Sequence, residues 1–463
     1  MTRIRSNVAS LFASEVARRL LGFLSVAYMA RTLGVEGFGM VMVGMSVLSY
    51  VSLMGSGDLH MFGTRNVARG DAPIDPGAVL GARLLNTIIV LGAASIVTVA
   101  WVEPPELVTV ILLTSLSAIL HSLFLEWYFQ GREHMAETAI ARTLAAILYL
   151  GFIVVCVRSA EDLEAAAAAV IVGDLGSTGY LLVRYRKSYG TLRVSFRSWG
   201  TLMRSAWPFG AGSILAQLSV NLPVLAIAAL LGSAEAGVFS GANKLVFFVL
   251  MADRILGTML LPVTARLQQE KDERLSPALS SALHWILLIG LPLCIGGSYL
   301  APEIVALVFG EAFQASADVL RILVWYAVLT MIHTVYTAGV LATGGERRYR
   351  NVMAVSAALY VIGVSGGIVS GGVMGAAAGM LLAEGITVVL MERAMQSALT
   401  PPRPSRFGRI VMAGIVLAAG LPFLSSAPVV LSVGLGAALY ATAAIILQAV
   451  TINELRQLIQ RPA

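Results

Sequence analysis

Apolar runs of about twenty residues recur along nearly the whole chain and are separated by short polar stretches. A helix of about twenty residues crosses the hydrocarbon core of a bilayer, so the pattern predicts an all-α polytopic membrane protein with about fourteen transmembrane helices. The spans fall into two groups of six and a final pair. They are predicted at 8–30, 39–60, 79–101, 107–129, 136–157 and 163–184, then at 206–231, 236–261, 279–300, 319–342, 351–369 and 374–395, and last at 409–425 and 428–450.

This grouping predicts four regions. Residues 1–185 form an N-terminal six-helix bundle, and residues 205–399 form a second six-helix bundle. Residues 186–204 combine cations with aromatic side chains, which predicts a cytoplasmic amphipathic linker on the anionic membrane surface. Residues 400–463 hold the additional helix pair and a cytoplasmic tail.

The composition excludes an ordinary soluble protein. Of the 463 residues, 57% are apolar and 13% are charged, and the mean hydropathy is +0.82. Soluble domains carry about 25% charged residues. The net charge of +6 does not indicate nucleic acid, because the sequence has no basic helix and no aromatic RNA-binding motif. Cys156 and Cys294 lie singly inside apolar runs, so neither a disulfide nor a metal site is predicted.

The cations are unevenly distributed between alternate connections. With a cytoplasmic N-terminus, 25 of the 32 Lys and Arg residues fall on the cytoplasmic side, three on the opposite side and four within spans. The group of 25 includes Arg83 and Arg142. Cytoplasmic connections of membrane proteins are enriched in cations, so both termini are predicted to be cytoplasmic.

A short motif recurs between the two groups of helices. Leu33 and Gly34, followed by Gly39, come after the first helix, and Leu231 and Gly232, followed by Gly237, come after the seventh. The recurrence predicts two six-helix halves related in parallel, the organisation of a transporter with a cavity between bundles. Chance recurrence of glycine-rich turns is the alternative.

Several motifs follow one another in order over the first twelve helices. The first half has ARTLG at 30–34 with Gly39, FGTRNVAR at 62–69 and EWYFQG at 126–131. The second half has WPF at 207–209, GVFSGANK at 237–244, and PEIV at 302–305 before Phe309 and Gly310. In this order and spacing the chain resembles the polysaccharide (Wzx-like or RfbX-like) flippases of the multidrug/oligosaccharidyl-lipid/polysaccharide exporter superfamily, which also contains MATE and MurJ transporters.

The resemblance implies a V-shaped, alternating-access flippase in the bacterial cytoplasmic (inner) membrane. Such a protein moves an undecaprenyl-diphosphate-linked oligosaccharide from the cytoplasmic to the periplasmic leaflet for cell-surface polysaccharide synthesis. The first helix is also similar to that of the lipid II flippase through RLLGF at 19–23. A cation expected shortly afterwards in that family is replaced by Ser25 and Val26, which disfavours a peptidoglycan precursor as substrate.

Cations inside predicted spans are the candidate substrate-binding residues, because a diphosphate headgroup needs a wet, positively charged passage through hydrocarbon. Arg18 and Arg19 lie in the first helix with Glu15, and Lys244 and Arg254 lie in the eighth. Each has a simpler alternative. Glu15 can pair with Arg19, Lys244 can extend to the membrane surface, and Arg254 can pair with Asp253.

Ionisable groups in apolar surroundings are the candidates for ion coupling, since a carboxylate or a histidine there can exchange a proton during transport. A lone histidine in a helix is more often a hydrogen-bonded structural residue. The candidates for ion coupling are Glu15, Asp58, Glu126, Asp174 and His333, and further buried groups of the same kind are His121, His284 and Glu384.

Glycines recur at every fourth position from 363 to 379, across the predicted turn near Ser370. Small residues let helix backbones approach closely, and the intervening turn favours packing within the chain over dimerisation. We therefore expect a monomer.

Other functions remain as alternatives: a cation-coupled drug exporter of the same superfamily, a lipid II flippase, a non-transporting scaffold of a glycan assembly complex, and a membrane glycosyltransferase or polymerase. The excess of arginine over acid in the first helix favours an anionic substrate over a cationic drug. No Walker loop, zinc spacing or nucleophile elbow occurs, so we expect neither an enzyme nor a cofactor. The expected partners are the lipid-linked glycan, the phospholipid bilayer, and polysaccharide polymerase and glycosyltransferases.

Overall fold

The structure is a computed structural model that describes the backbone of residues 2–69, 75–270, 274–424, 427–451 and 454. The side chains of residues 2–17, 207–216, 218 and 219 lie outside this description. Within the described ranges the regular structure is helical, without a β-strand. The predicted all-α membrane fold is confirmed.

The chain divides into two compact units, Met1–Gly237 and Val238–Ala463. The helices that begin in the first unit are α1 Thr2–Ser56, α2 Leu59–Arg69, α3 Pro76–Trp101, α4 Pro105–Ser115, α5 Ser117–Leu123, α6 Glu126–Gly131, α7 Met135–Cys156, α8 Leu163–Tyr189, α9 Trp199–Leu231 and α10 Ser233–Gln269. Those of the second unit are α11 Leu275–Tyr299, α12 Ala301–Phe309, α13 Ala315–Ala342, α14 Glu346–Gln396, α15 Phe407–Gly420 and α16 Val429–Ile446.

Eleven helical stretches among the described residues are long and apolar enough to cross a membrane, by length and composition. Two of them contain glycines with non-helical backbone angles, Gly34 in α1 and Gly371 with Gly372 in α14. In α9 the described part adds only the shorter apolar stretch Val220–Leu231. The exact number of fourteen spans therefore stays a prediction.

The two copies of the recurring glycine motif meet inside the first unit. Gly34 and Gly232 both adopt positive φ angles, 70° and 100°, which favour glycine. A methyl group on Gly39 would lie 1.9 Å from the carbonyl oxygen of Ser233, and one on Gly237 would lie 2.0 Å from the carbonyl oxygen of Val35. The two turns thus pack backbone to backbone, which only glycine permits.

The predicted span 107–129 is interrupted. It consists of α4, α5 and α6, and Phe124 between α5 and α6 has extended backbone angles. The guanidinium of Arg83 on α3 donates hydrogen bonds to the carbonyl oxygens of His121 (2.5 Å) and Phe124 (3.1 Å) at this break. Broken helices are tolerated at membrane depth when buried protein groups satisfy the freed carbonyls. Arg83 is therefore a buried structural residue, although its charge counted toward the cytoplasmic side in the sequence.

The aromatic motif that follows the break is part of the core. Trp127 and Phe129 of α6 are fully buried, and Tyr128 packs edge-on against Tyr185 of α8 with ring centroids 5.2 Å apart. Large aromatic side chains contribute much of the apolar area buried in a core. This packing fixes α6 against the end of α8 and so sets the position of Glu126.

Residues 190–198, within the predicted linker, form no helix and run along the start of α3. The amide of Ser195 donates a hydrogen bond to the carbonyl oxygen of Gly77 (3.1 Å). A methyl group on Gly77 or Gly81 would lie about 2 Å from carbonyl oxygens of this segment, 1.8 Å from that of Arg193 and 2.1 Å from that of Ser195. The absence of a side chain at Gly77 and at Gly81 allows this close approach.

Candidate functional site

A cavity of about 370 Å³ lies in the first unit between α1, α5, α7 and α8. Its polar lining consists mainly of Arg18, His121, Arg142, Tyr149 and Asp174. All five come from helical stretches that meet the criteria for crossing a membrane. The cavity wall thus carries two guanidinium groups, a histidine and a carboxylate.

The first part of the wall is built around an ion pair. Arg142 Nη2 lies 2.6 Å from Glu126 Oε1, and the amide of Gln130 donates to the same oxygen at 2.9 Å. The Glu126 side chain is 7% exposed, whereas that of Arg142 is 45% exposed. The carboxylate is therefore held inside the protein while its cationic partner faces the cavity.

His60 contacts Gln130, the residue whose amide donates to this ion pair. Its Nε2 lies 3.3 Å from Gln130 Oε1. His60 belongs to α2, which follows the candidate span ending at Ser56. Burial, together with the positive charge of Arg83, lowers the pKa of His60 to about 4. At neutral pH the ring is uncharged and can donate one proton to the Gln130 amide oxygen.

The second part of the wall is a chain of hydrogen bonds. His121 Nε2 lies 2.8 Å from Asp174 Oδ2, and His121 Nδ1 lies 2.8 Å from the hydroxyl of Ser52. Ser117 donates to the same Asp174 oxygen at 2.5 Å. Two residues singled out separately in the sequence are therefore partners.

The remaining predicted residues of the first unit take other positions. Arg19 is half-buried and does not line this cavity. Asp58 is buried at the turn between α1 and α2, where its φ is 56° and its charge acts on His60. The side chain of Glu15 lies outside the described residues.

In the second unit, the predicted cations lie on α10. Lys244 is half-buried, and the side chain of Arg254 is exposed. The expected alternative for Arg254, an ion pair with Asp253, is not formed among the described side chains. Asp253 Oδ1 instead accepts a hydrogen bond from the hydroxyl of Thr334 (2.6 Å).

That hydrogen bond belongs to a second buried polar cluster. His333 Nδ1 on α13 lies 2.9 Å from Glu384 Oε1 on α14, and the two side chains are 14% and 9% exposed. The charges of both groups act on Asp253. His333 thus has a carboxylate partner inside the second unit and is not a lone histidine.

Sequence reasoning missed several of these residues. Arg142 was counted only with the cytoplasmic charges, although its position inside the predicted span 136–157 was a usable signal. Ser52, Gln130 and Thr334 carried no signal, because uncharged polar residues are common in membrane helices and only contacts reveal their roles. No group of three or more His, Cys, Asp or Glu side chains able to hold a metal ion occurs in the described part of the chain.

Comparison with known proteins identifies one matching family and two relatives, one named as a transporter and one as a flippase. Residues 4–268, more than half of the chain, match the family described as "Polysaccharide biosynthesis protein". A protein of Shigella dysenteriae named as an O-antigen transporter is 22% identical over 367 residues, 78% of this chain and 90% of the relative. A protein of Haloferax volcanii named as the low-salt glycan biosynthesis flippase Agl15 is 20% identical over 401 residues, 84% of this chain and 83% of the relative.

Two solved structures have folds similar to that of this chain. The lipid II flippase MurJ in an inward closed conformation superposes with a TM-score of 0.77 at 11% identity, covering 98% of this chain and all of MurJ. An inward-facing multidrug resistance transporter of the MATE family superposes with a TM-score of 0.66 at 15% identity, covering 82% of this chain and 95% of that one. The MATE- and MurJ-like fold expected from the motifs is confirmed, and the chain belongs to the polysaccharide biosynthesis protein family.

Proposed function

We propose that this protein is an alternating-access flippase that moves an undecaprenyl-diphosphate-linked oligosaccharide from the cytoplasmic to the periplasmic leaflet. The observation that carries the proposal is the cavity of the first unit, where Arg18 and Arg142 project from membrane helices. A charged headgroup cannot cross hydrocarbon unaided, and guanidinium groups bind phosphate oxygens in well-defined geometry.

The relatives support the class of cargo. One is named as an O-antigen transporter and one as a glycan biosynthesis flippase, and each aligns over more than three quarters of this chain. The sugar can travel through the polar cavity while the lipid tail stays in the bilayer. Flipping makes and breaks no covalent bond, so the proposed activity needs neither catalysis nor a cofactor.

The two buried polar clusters are the proposed sites of ion coupling. Asp174 with His121 belongs to the first unit, and His333 with Glu384 belongs to the second. A carboxylate held against a histidine in an apolar setting can change its protonation when its surroundings change. Asp58 and Glu15 remain candidates for ion coupling as well.

The proposal also places the protein in its cell. It predicts residence in a bacterial inner membrane with both termini in the cytoplasm, in agreement with the asymmetry of the cations. Glycosyltransferases that build the lipid-linked unit and a polymerase that consumes it are the expected functional partners. We expect the transporting unit to be a monomer.

The test is glycan delivery in cells that lack the native gene and carry single variants. We expect Arg18→Gln and Arg142→Gln each to reduce delivery of lipid-linked glycan at least tenfold while the protein still inserts. Arg184→Gln is the matched control, because Arg184 forms an equally close ion pair (2.7 Å) with Glu137 and does not line the cavity.

Unchanged glycan delivery in both cavity variants would favour a scaffold role over a flippase. Accumulation of organic cations on deletion of the gene, with normal glycan delivery, would favour a drug exporter.

A further inference from the structure

We propose that Arg142 and Arg18 form the phosphate-binding subsite of the cavity, and that a headgroup binds Arg142 by displacing Glu126, which then takes up one proton. The inference rests on the proposed function and assigns the exchange to named atoms. The ligand class is a lipid whose headgroup is a diphosphate diester.

The starting point is that Arg142 already has an anionic partner. Its Nη2 lies 2.6 Å from Glu126 Oε1, and that carboxylate is held from the other side by Gln130. A phosphate oxygen approaching from the cavity meets the same guanidinium. A phosphate that takes up the Nη2 donors in a bidentate contact competes with Glu126 for them, and the contact between Arg142 and Glu126 then loosens.

The two partners differ in their access to the cavity. Arg142 lines the cavity and is about half exposed, whereas Glu126 is buried and does not line it. The arginine side chain is long and can turn toward a ligand, while the short, buried carboxylate stays behind. Ligand binding therefore leaves Glu126 inside the protein without its close cation.

A buried carboxylate that loses its cation is strongly disfavoured in its charged form. The charged groups that act on Glu126 from neighbouring elements are Arg18 on α1, Arg83 on α3 and Arg142 on α7. On its own helix the amide of Gln130 donates to it, and the titratable His60 of α2 contacts Gln130. Arg83 is engaged with backbone carbonyls, and Arg18 is the second cation of the cavity. With Arg18 and Arg142 both bound to phosphate, a proton taken up from cavity water neutralises Glu126.

His60 does not compete for this proton at neutral pH. Burial and the nearby Arg83 keep its ring uncharged down to about pH 4, as described above. The hydrogen bond from Gln130 to Glu126 persists when the carboxyl is protonated, since one of its oxygens remains an acceptor. The site can thus hold the neutral carboxyl in place until the phosphate leaves and Arg142 returns.

The exchange raises the positive charge that the site offers to the ligand. Protonation of Glu126 removes one negative charge beside Arg142, which favours a doubly anionic diphosphate diester. Binding of each headgroup therefore takes one proton into the protein. Proton uptake is coupled to cargo through a single ion pair.

The test measures protons taken up by the purified full-length protein on binding a soluble probe, farnesyl-diphosphate-linked N-acetylglucosamine. Both phosphates of this probe are diesters, so the probe itself releases or binds no proton near neutral pH. Calorimetric titration in two buffers of different ionisation enthalpy counts the protons. We expect about one proton per bound probe, with affinity rising up to tenfold for each unit that pH falls.

Two variants locate the proton. Glu126→Gln should bind the probe with no proton uptake and with affinity independent of pH, and Arg142→Gln should bind at least tenfold more weakly. Glu137→Gln is the matched control and should behave as the wild type, because Glu137 pairs with Arg184 away from the cavity lining.

The outcomes separate the proton exchange at Glu126 from the flippase proposal. Binding by the wild type without proton uptake, or unchanged uptake in Glu126→Gln, overturns the exchange and leaves the flippase proposal standing. The wild-type proton count needs no variant, so it decides even if a variant fails to fold. Absence of any binding to the wild type would count against the proposed function itself.

Discussion

Gly367 and Gly375 face each other across the turn of α14 so closely that a methyl group on either one would lie about 2 Å from the other's carbonyl oxygen, at 2.1 and 2.0 Å. Gly363 and Gly379 repeat the contact one turn further along. The glycines that recur at every fourth position from 363 to 379 therefore pack the two arms of α14 against each other within one chain, as predicted.

This contact predicts that Gly367→Val is destabilising, because its side chain must push the two arms apart. We expect a loss of about 1–3 kcal/mol, the usual cost of overpacking. Gly366→Val is the matched control, since nothing lies within 4 Å of that position. Thermal unfolding in detergent, followed by size-exclusion chromatography, measures both. Equal stability of the two variants would contradict the observed packing.

Arg83 supports a second prediction. Arg83→Met removes two hydrogen bonds to the carbonyls of His121 and Phe124 and leaves them buried. We expect a loss of roughly 2–6 kcal/mol, from about 1–3 kcal/mol for each of the two unsatisfied carbonyls. Arg83→Lys should fall between the wild type and Arg83→Met, because one ammonium can reach one carbonyl. Thermal unfolding tests this order, and a Met variant as stable as the wild type would show that the break needs no support.

His60 predicts how stability depends on pH. Its pKa is lowered to about 4 in the folded protein from 6.5, so below pH 6.5 the unfolded chain binds a proton that the folded chain does not. Stability should therefore fall as pH drops from 6.5 toward 4, by up to about 1.4 kcal/mol per pH unit from this group. Comparing the wild type with His60→Gln at pH 7 and pH 5 isolates the effect. An identical loss in both proteins would assign the pH dependence elsewhere.

Asp174 predicts a transport defect without a folding defect. Asp174→Asn keeps a hydrogen-bond acceptor for Ser117 but removes the charge beside His121. Since this pair is a proposed site of ion coupling, the rate of glycan delivery should fall at least tenfold while the protein still folds and inserts. Asp162→Asn, an exposed carboxylate just before α8, serves as the control and should transport normally. Normal delivery in Asp174→Asn would remove this pair from the coupling proposal.

His333 and Glu384 predict non-additive effects. Each single replacement, His333→Asn and Glu384→Gln, breaks the same 2.9 Å contact, so the double variant should be little worse than either one. We expect an interaction energy of about 1–3 kcal/mol in a double-mutant cycle on stability. The exposed pair Asp318 and Arg321 on the same helix should give a value near zero. Additive losses at His333 and Glu384 would mean that the contact is not energetically significant.

Much of the architecture was available from the sequence. Apolar runs gave the membrane class and most helix positions, because a helix in lipid must be apolar over a fixed length. The turn glycines were found as well, since positive φ angles and close backbone contacts both select glycine. The break at Phe124 was missed because an apolar run looks the same whether its helix is continuous or interrupted.

The site itself was found only in part. Arg18, His121, Glu126 and Asp174 were singled out because charge inside an apolar run is costly and therefore noticeable. Their partners were not identified, because Arg142 was counted with the cytoplasmic cations, and Gln130 and Ser52 carry no charge.

By itself, the sequence determined that this chain is a bundle of membrane helices with ionisable groups among them, because the cost of exposing polar atoms to lipid acts on every residue locally. Tertiary structure decided which ionisable groups are in contact: Arg142 with Glu126, His121 with Asp174, and His333 with Glu384. These pairs join residues 16 to 53 positions apart on different helices. Electrostatic interaction depends on distance in space, which only the packing of the helices fixes.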